Sequence, residues 1–164
     1  MNEPSKTIAS GFINSFRNFT ERVHALSENL SGERFWTKPY PYGNSLGHLT
    51  LHITGNLNYF IGAEIAQTGY VRDREREFTE QAPPSKEEAL RQLDEAIAMV
   101  IATLEAQTTE DWSSRYEATD TSDFVKDRFS IFLRCATHFH HHLGQMIYLE
   151  KELSKQVWQS RSPE

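Results

Sequence analysis

Four of the chain's seven histidines fall within the stretch "THFHHHLGQ", Thr137 to Gln145. Imidazoles at this density suggest a metal site, a solvent-facing polar run or a purification tag. The tag is disfavoured, because the stretch lies inside an amphipathic segment far from either terminus. Helical geometry separates the other two. With about 100° per residue and Phe139 set at zero, Phe132, Cys135, Leu143 and Met146 fall within about 40° of it. His142 then lies at about -60° and His138 at about -100°, among or beside the apolar residues. His140, at about +100°, and His141, at about -160°, point away and read as surface residues.

His138 and His142 therefore share one face, one turn apart, which suits two donors to one metal ion. A second helix must supply the next donor. "LGHLTLH" offers His48 and His52. With His52 at zero, the apolar arc of Leu46, Leu49, Ile53, Leu57 and Phe60 runs from about +60° to +140°, and His48 lies further from it at about -40°. His52 is the better-placed ligand and His48 the fallback. The expected metal ligands are His52, His138 and His142. A hydrogen-bonded core without metal is the bland alternative, which fits one lone inward histidine better than three. His24 reads as an ordinary, partly exposed histidine.

The elements that must position these residues are helices. Ile8, Phe12, Phe16, Phe19, Val23 and Leu26 step by three or four, until "LSGER" breaks the pattern at Gly32. Leu46, Leu49, Ile53, Leu57 and Phe60 form a second set, with Asn44 or Ser45 available as a cap. "PPSKEEALRQL" opens a third, where Ser85 and Glu88 have capping-box spacing and Leu90, Leu93, Ile97, Val100 and Leu104 follow. A fourth runs from Asp123 through "DFVKDRFSIFLRCATHFHHHLGQMIYLEKEL", with "SRSPE" after it expected to fray. No segment alternates strictly, so the expected fold is all-α, a single four-helix-bundle domain over 1–164.

The connection between the second and third helices spans roughly Gln67 to Pro84. It is long enough to travel the length of a bundle and start the third helix parallel to the second. It contains "YVRDREREF", which reads as a solvated crossover or as a lid, Arg72 to Phe78, over a site at one end.

Composition bounds the function. With 164 residues, 38% hydrophobic and 24% charged, the chain fits one soluble domain with a real core. A net charge of -6 without a basic block argues against a nucleic-acid partner. No signal pattern or long apolar run points to export or a membrane, so a cytoplasmic location is expected. Cys135 is the only cysteine, so no internal disulfide forms. It lies on the apolar face near His138 and reads as a small buried core residue rather than a nucleophile.

"HFHHHLGQMIYLEKEL" resembles the last-helix motif of the DinB/YfiT-like superfamily, with His138, His141, His142, Gly144 and Gln145 at the motif positions. "NSLGHLTLHITGNLNYF" resembles that family's second-helix motif, with His52 at its metal-ligand position, and the "RDREREF" crossover is also similar to family members. The resemblance implies up-down-down-up topology and three histidines on one divalent metal with open positions. It also implies a homodimer. Some relatives transfer or isomerise substrates with bacillithiol, mycothiol or glutathione, and others are labelled metal-dependent hydrolases.

Three neutral imidazoles leave a divalent metal its full positive charge, which acidifies a bound water or thiol. The metal is zinc, nickel, iron or manganese, since imidazole suits all four. No HExxH glutamate accompanies the histidines as a general base. The expected function is transfer of a low-molecular-weight thiol cosubstrate to a small-molecule electrophile. Metal-dependent hydrolysis and a non-enzymatic metal- or partner-binding bundle are the alternatives. Gln145 either orients a ligand at the site or closes a packing layer.

Overall fold

The computed structural model describes residues 3–79, 82–118 and 125–161, and these are mostly helical. Helix α1 spans Glu3–Glu28, α2 Gly32–Trp36 and α3 Leu46–Leu57. Helix α3 continues directly into a π-helix, Asn58–Ala63. Then come α4 (Arg76–Thr79), α5 (Lys86–Glu105), α6 (Thr109–Trp112) and α7 (Arg128–Arg161). Among the described residues there is no strand, only an isolated bridge between Arg115 and Asp127. No helix in that set is long and apolar enough to cross a membrane.

The four long segments contact one another in a ring: α1 touches α7 and α5, and α3 touches the same two. Apolar spacing explains why. On α1, Ala9, Ile13, Phe16, Thr20 and Val23 recur at steps of three or four, and all are buried. Every residue of α3 except Leu51 is buried, so this helix has neighbours on nearly all sides. Phe16, Phe35, Phe60, Phe132 and Phe139 are fully enclosed. Truncating any of them to alanine costs about 3–5 kcal/mol.

Several sequence expectations need correction. The break expected at "LSGER" is present, since α1 ends at Glu28, but Gly32 does not prolong it. It opens α2, because Ser31 accepts from the Arg34 amide as its cap. Ser45, not Asn44, caps α3 by accepting from the His48 amide. Ser85 caps α5, but the Glu88 carboxylate turns to Arg91 and Gln92 and does not close the box. The last helix starts at Arg128, later than the apolar pattern suggests. There Asp127 Oδ1 accepts from the Ser130 amide, while Ser130 Oγ accepts from the amides of Lys126 and Asp127. Asp123 and Phe124 lie outside the described residues. Helix α7 reaches Arg161, so "SRSPE" begins inside a helix, and its last three residues are also outside that set.

Two further features had no periodic signal. The π-helix shifts the register after Leu57 and sets Tyr59 and Phe60 against the cavity described below. Tyr116 donates its hydroxyl proton to the Phe60 carbonyl at 2.8 Å, which ties this turn to the α6–α7 connection. The short α6 carries a capping box between Thr108 and Asp111, and its Trp112 donates to Ser5 Oγ at 2.8 Å.

Candidate metal centre

Helices α3 and α7 bring three imidazoles together. His52 Nε2 lies 3.2 Å from His138 Nε2, and His142 Nε2 lies 3.1 Å from the same atom. One nitrogen from each ring falls within 4.8 Å of the others, and the trio could hold a metal ion. His52 is buried, whereas His138 and His142 are half-buried, so the cluster has an enclosed side and an open one.

The second ring nitrogens are held by oxygen acceptors. Glu77 Oε2 lies 2.7 Å from His52 Nδ1, and Gln145 Oε1 lies 2.7 Å from His142 Nδ1. The Gln145 amide nitrogen faces His141 Nε2 at 3.3 Å, which agrees with that orientation of the amide. Both Nδ1 atoms therefore carry the proton, and the Nε2 lone pairs of His52 and His142 face His138 Nε2. That nitrogen carries at most one proton, so at least one contact sets lone pair against lone pair. A cation among them removes the repulsion. Two imidazole nitrogens at about 2.0–2.1 Å from one metal, subtending tetrahedral or octahedral angles, lie about 2.9–3.4 Å apart. The donor set thus fits a divalent metal.

Two of the rings, His138 and His142, are held in the ligating, neutral form. Burial, helped by His142 and His52, pushes the His138 pKa down to about 3. Burial also lowers His142, against the opposing hydrogen bond from Gln145.

The crossover supplies the support that periodicity alone did not reveal. Glu77, on α4, is 6% exposed, and its carboxylate is shared. Arg72 Nε donates to Oε1 at 2.7 Å and Nη2 to Oε2 at 2.9 Å, while His52 holds Oε2 from the other side. Phe78 lies over the His52 ring at 4.7 Å. The segment Arg72–Phe78 is thus folded against the cluster. Gly55 makes this approach possible, because a Cβ there would stand 2.2 Å from Glu77 Oε1. The signal for Glu77 was present only as one of three carboxylates in "RDREREF", between Arg76 and Phe78.

Other histidines are placed elsewhere. His48 is buried one turn before His52, with Nδ1 2.5 Å from Ser45 Oγ and its ring edge-on to Trp36. It is not in the cluster. His140 and His141 are exposed, with His140 against the Phe19 ring. His24 pairs with Asp94 at 2.7 Å. Cys135 is fully buried, and burial raises its thiol pKa to about 12, so it is no thiolate at neutral pH.

Beside the cluster lies a cavity of about 720 Å³. His52 and His138 form one wall, Tyr59 and Phe60 another, and Arg72, Arg74 and Arg134 add positive charge. Among the described residues, no aspartate or glutamate lines it.

The sequence profile of the DinB superfamily matches residues 15–146. No curated protein matches the chain. A crystal structure described as the conserved protein of locus from Enterococcus faecalis is similar, with a TM-score of 0.73 and 15% identity. The match covers 89% of this chain and 96% of that one. At this identity the likeness shows the fold alone.

Proposed function

The chain belongs to the DinB superfamily, and on that premise we propose that it transfers a low-molecular-weight thiol to a small electrophile at one divalent cation held by His52, His138 and His142. The observation that carries the proposal is the meeting of three imidazole donors beside a cavity whose lining, among the described residues, holds arginines and no carboxylate. When bound, a divalent cation supplies the Lewis acidity that keeps a thiol as thiolate near neutral pH.

The chain's own residues do the rest. Glu77 and Gln145 hold His52 and His142 in the tautomer that offers Nε2. Phe78 and Arg72 cover the buried side of His52. Both Glu77 oxygens are engaged by Arg72 and His52, so this carboxylate is a poor general base. That weakens a peptidase-like hydrolysis assisted by a carboxylate base, and leaves a metal-bound hydroxide as the nucleophile of the alternative, hydrolytic reading. The same premise supports a bundle of up-down-down-up topology, in which the Gln67–Pro84 crossover lets α3 and α5 run parallel.

The test loads the protein with zinc or nickel and adds bacillithiol or glutathione with a chloro-dinitroaromatic acceptor. Thiol consumption above the uncatalysed rate is expected in the wild type and absent in His142→Ala. Equal rates in both would reject the transferase. Ester cleavage that needs metal but no thiol would establish the hydrolase instead.

A further inference from the structure

Arg134, His138 and His142 are spaced by four residues on α7, so the guanidinium sits on the same face as the two imidazoles, one turn away. Arg134 lines the cavity together with His52, Asn56, Phe60 and His138. Its guanidinium lies 4.3 Å over the Phe60 ring, which fixes the plane of the fork. Nη1 is buried and has no hydrogen-bond partner. Buried donors are normally satisfied, and a guanidinium N–H left alone is costly. Asn56, 2% exposed and also lining the cavity, has its Oδ1 without a partner. A donor and an acceptor without partners thus both belong to residues that line the cavity.

The other arginines do not compete for this role. Arg72 points inward, but Glu77 already neutralises it. Arg76 lines a different cleft, between the crossover and α5. Arg74 stands over Phe78 at 5.9 Å and adds charge to the cavity. A cation at the histidines would make the cavity more positive still.

We infer that the cavity selects thiols bearing a carboxylate, received by Arg134, with a neighbouring N–H or O–H of the ligand donating to Asn56. This inference rests on the histidine cluster acting as a thiol-binding metal centre. A phosphate dianion would satisfy Arg134 but would set a bare oxygen against Asn56 Oδ1. A carboxylate on a carbon skeleton with a donor beside it satisfies both groups. Arg134 is then a specificity-determining residue, not a metal ligand.

The test uses the cobalt(II)-loaded protein and the near-ultraviolet absorption that a thiolate gives on cobalt. Wild type, Arg134→Met and Arg134→Lys are titrated with 3-mercaptopropionate and with its methyl ester. The wild type is expected to prefer the acid by about tenfold or more, as a charge-assisted bond implies. In Arg134→Met the two affinities should converge while the cobalt visible spectrum stays intact. Arg134→Lys should keep part of the preference through its charge. Equal affinities in the wild type, or a preference that survives in Arg134→Met, would overturn the inference and leave the thiol reading standing. A parallel calorimetric titration with succinate covers the opposite case. If no thiol gives the absorption, yet succinate binds the wild type and not Arg134→Met, the thiol reading falls and the carboxylate site stands. If succinate also fails to bind, both fall. Should Arg134→Met not fold, as judged by circular dichroism, Arg134→Lys and the wild-type comparison decide.

Discussion

Glu77 Oε2 accepts the Nδ1 proton of His52 at 2.7 Å, a contact between residues 25 apart in the chain. This bond joins the crossover to the histidine cluster. It fixes the tautomer of His52, and through Arg72 it also holds the segment that leads into α4. Replacing Glu77 by alanine is expected to lower metal affinity about 10–100-fold. It leaves Arg72 buried beside an unpartnered imidazole, so the metal-free protein should lose about 3–5 kcal/mol. Metal titration and denaturant unfolding measure the two effects separately.

Gly55→Ala inverts a general expectation. Alanine within a helix normally stabilises by about 0.5–1 kcal/mol relative to glycine. Here the added Cβ would meet Glu77 Oε1 at 2.2 Å and Cδ at 3.0 Å, and that carboxylate is held in place by His52 and Arg72. The variant is expected to be less stable and to bind metal more weakly. In a Gly55→Ala, Glu77→Ala double variant, the losses should be much less than additive, since both act on one bond.

Much of this site could be read from the sequence, because helical periodicity constrains it. The split of the α7 histidines into His138 and His142 against His140 and His141 follows from the angle per residue and the apolar face. Choosing His52 over His48 used the same reasoning on α3. Glu77 and Arg134 were beyond that method. Glu77 reaches the cluster from a crossover whose path is set by tertiary contacts and by the absence of a side chain at Gly55. Arg134 carries no signal of its own in the sequence; Phe60 belongs to the second apolar set, but a π-turn shifts the register after Leu57 and sets its ring beneath the guanidinium. The short helices α2, α4 and α6 are likewise set by caps and docking, not by an apolar stripe.

Cys135 should behave as core. Its side chain is fully buried and its thiol pKa is raised to about 12. A disulfide-exchange reagent at neutral pH should label it only as fast as the protein unfolds, and at once in denaturant. Cys135→Ala is expected to keep its metal. Rapid labelling of the native protein would show the α7 core to be more open than described.

Acid should weaken the α6 corner. Hydrogen bonds from the Thr108 backbone and hydroxyl, with Arg128 nearby, hold the Asp111 carboxyl below the usual carboxylate range. A lowered carboxylate pKa stabilises the fold above its ordinary value of about 4 and loses that contribution as pH falls through the folded value. Melting temperature against pH should therefore drop below about pH 4 in the wild type. The drop should be shallower in Asp111→Asn, which starts from a lower plateau at neutral pH.

The most direct test of the central claim is bound metal per chain in four proteins prepared alike: wild type, His52→Ala, His138→Ala and His141→Ala. Each is reconstituted with zinc or nickel, freed of loose ions and assayed for metal, with circular dichroism confirming its helices. The account predicts one ion per chain in the wild type and in His141→Ala, and near-complete loss in His52→Ala and His138→Ala. A wild type that holds no ion, or a His138→Ala protein that keeps its ion while His141→Ala loses it, would contradict the account.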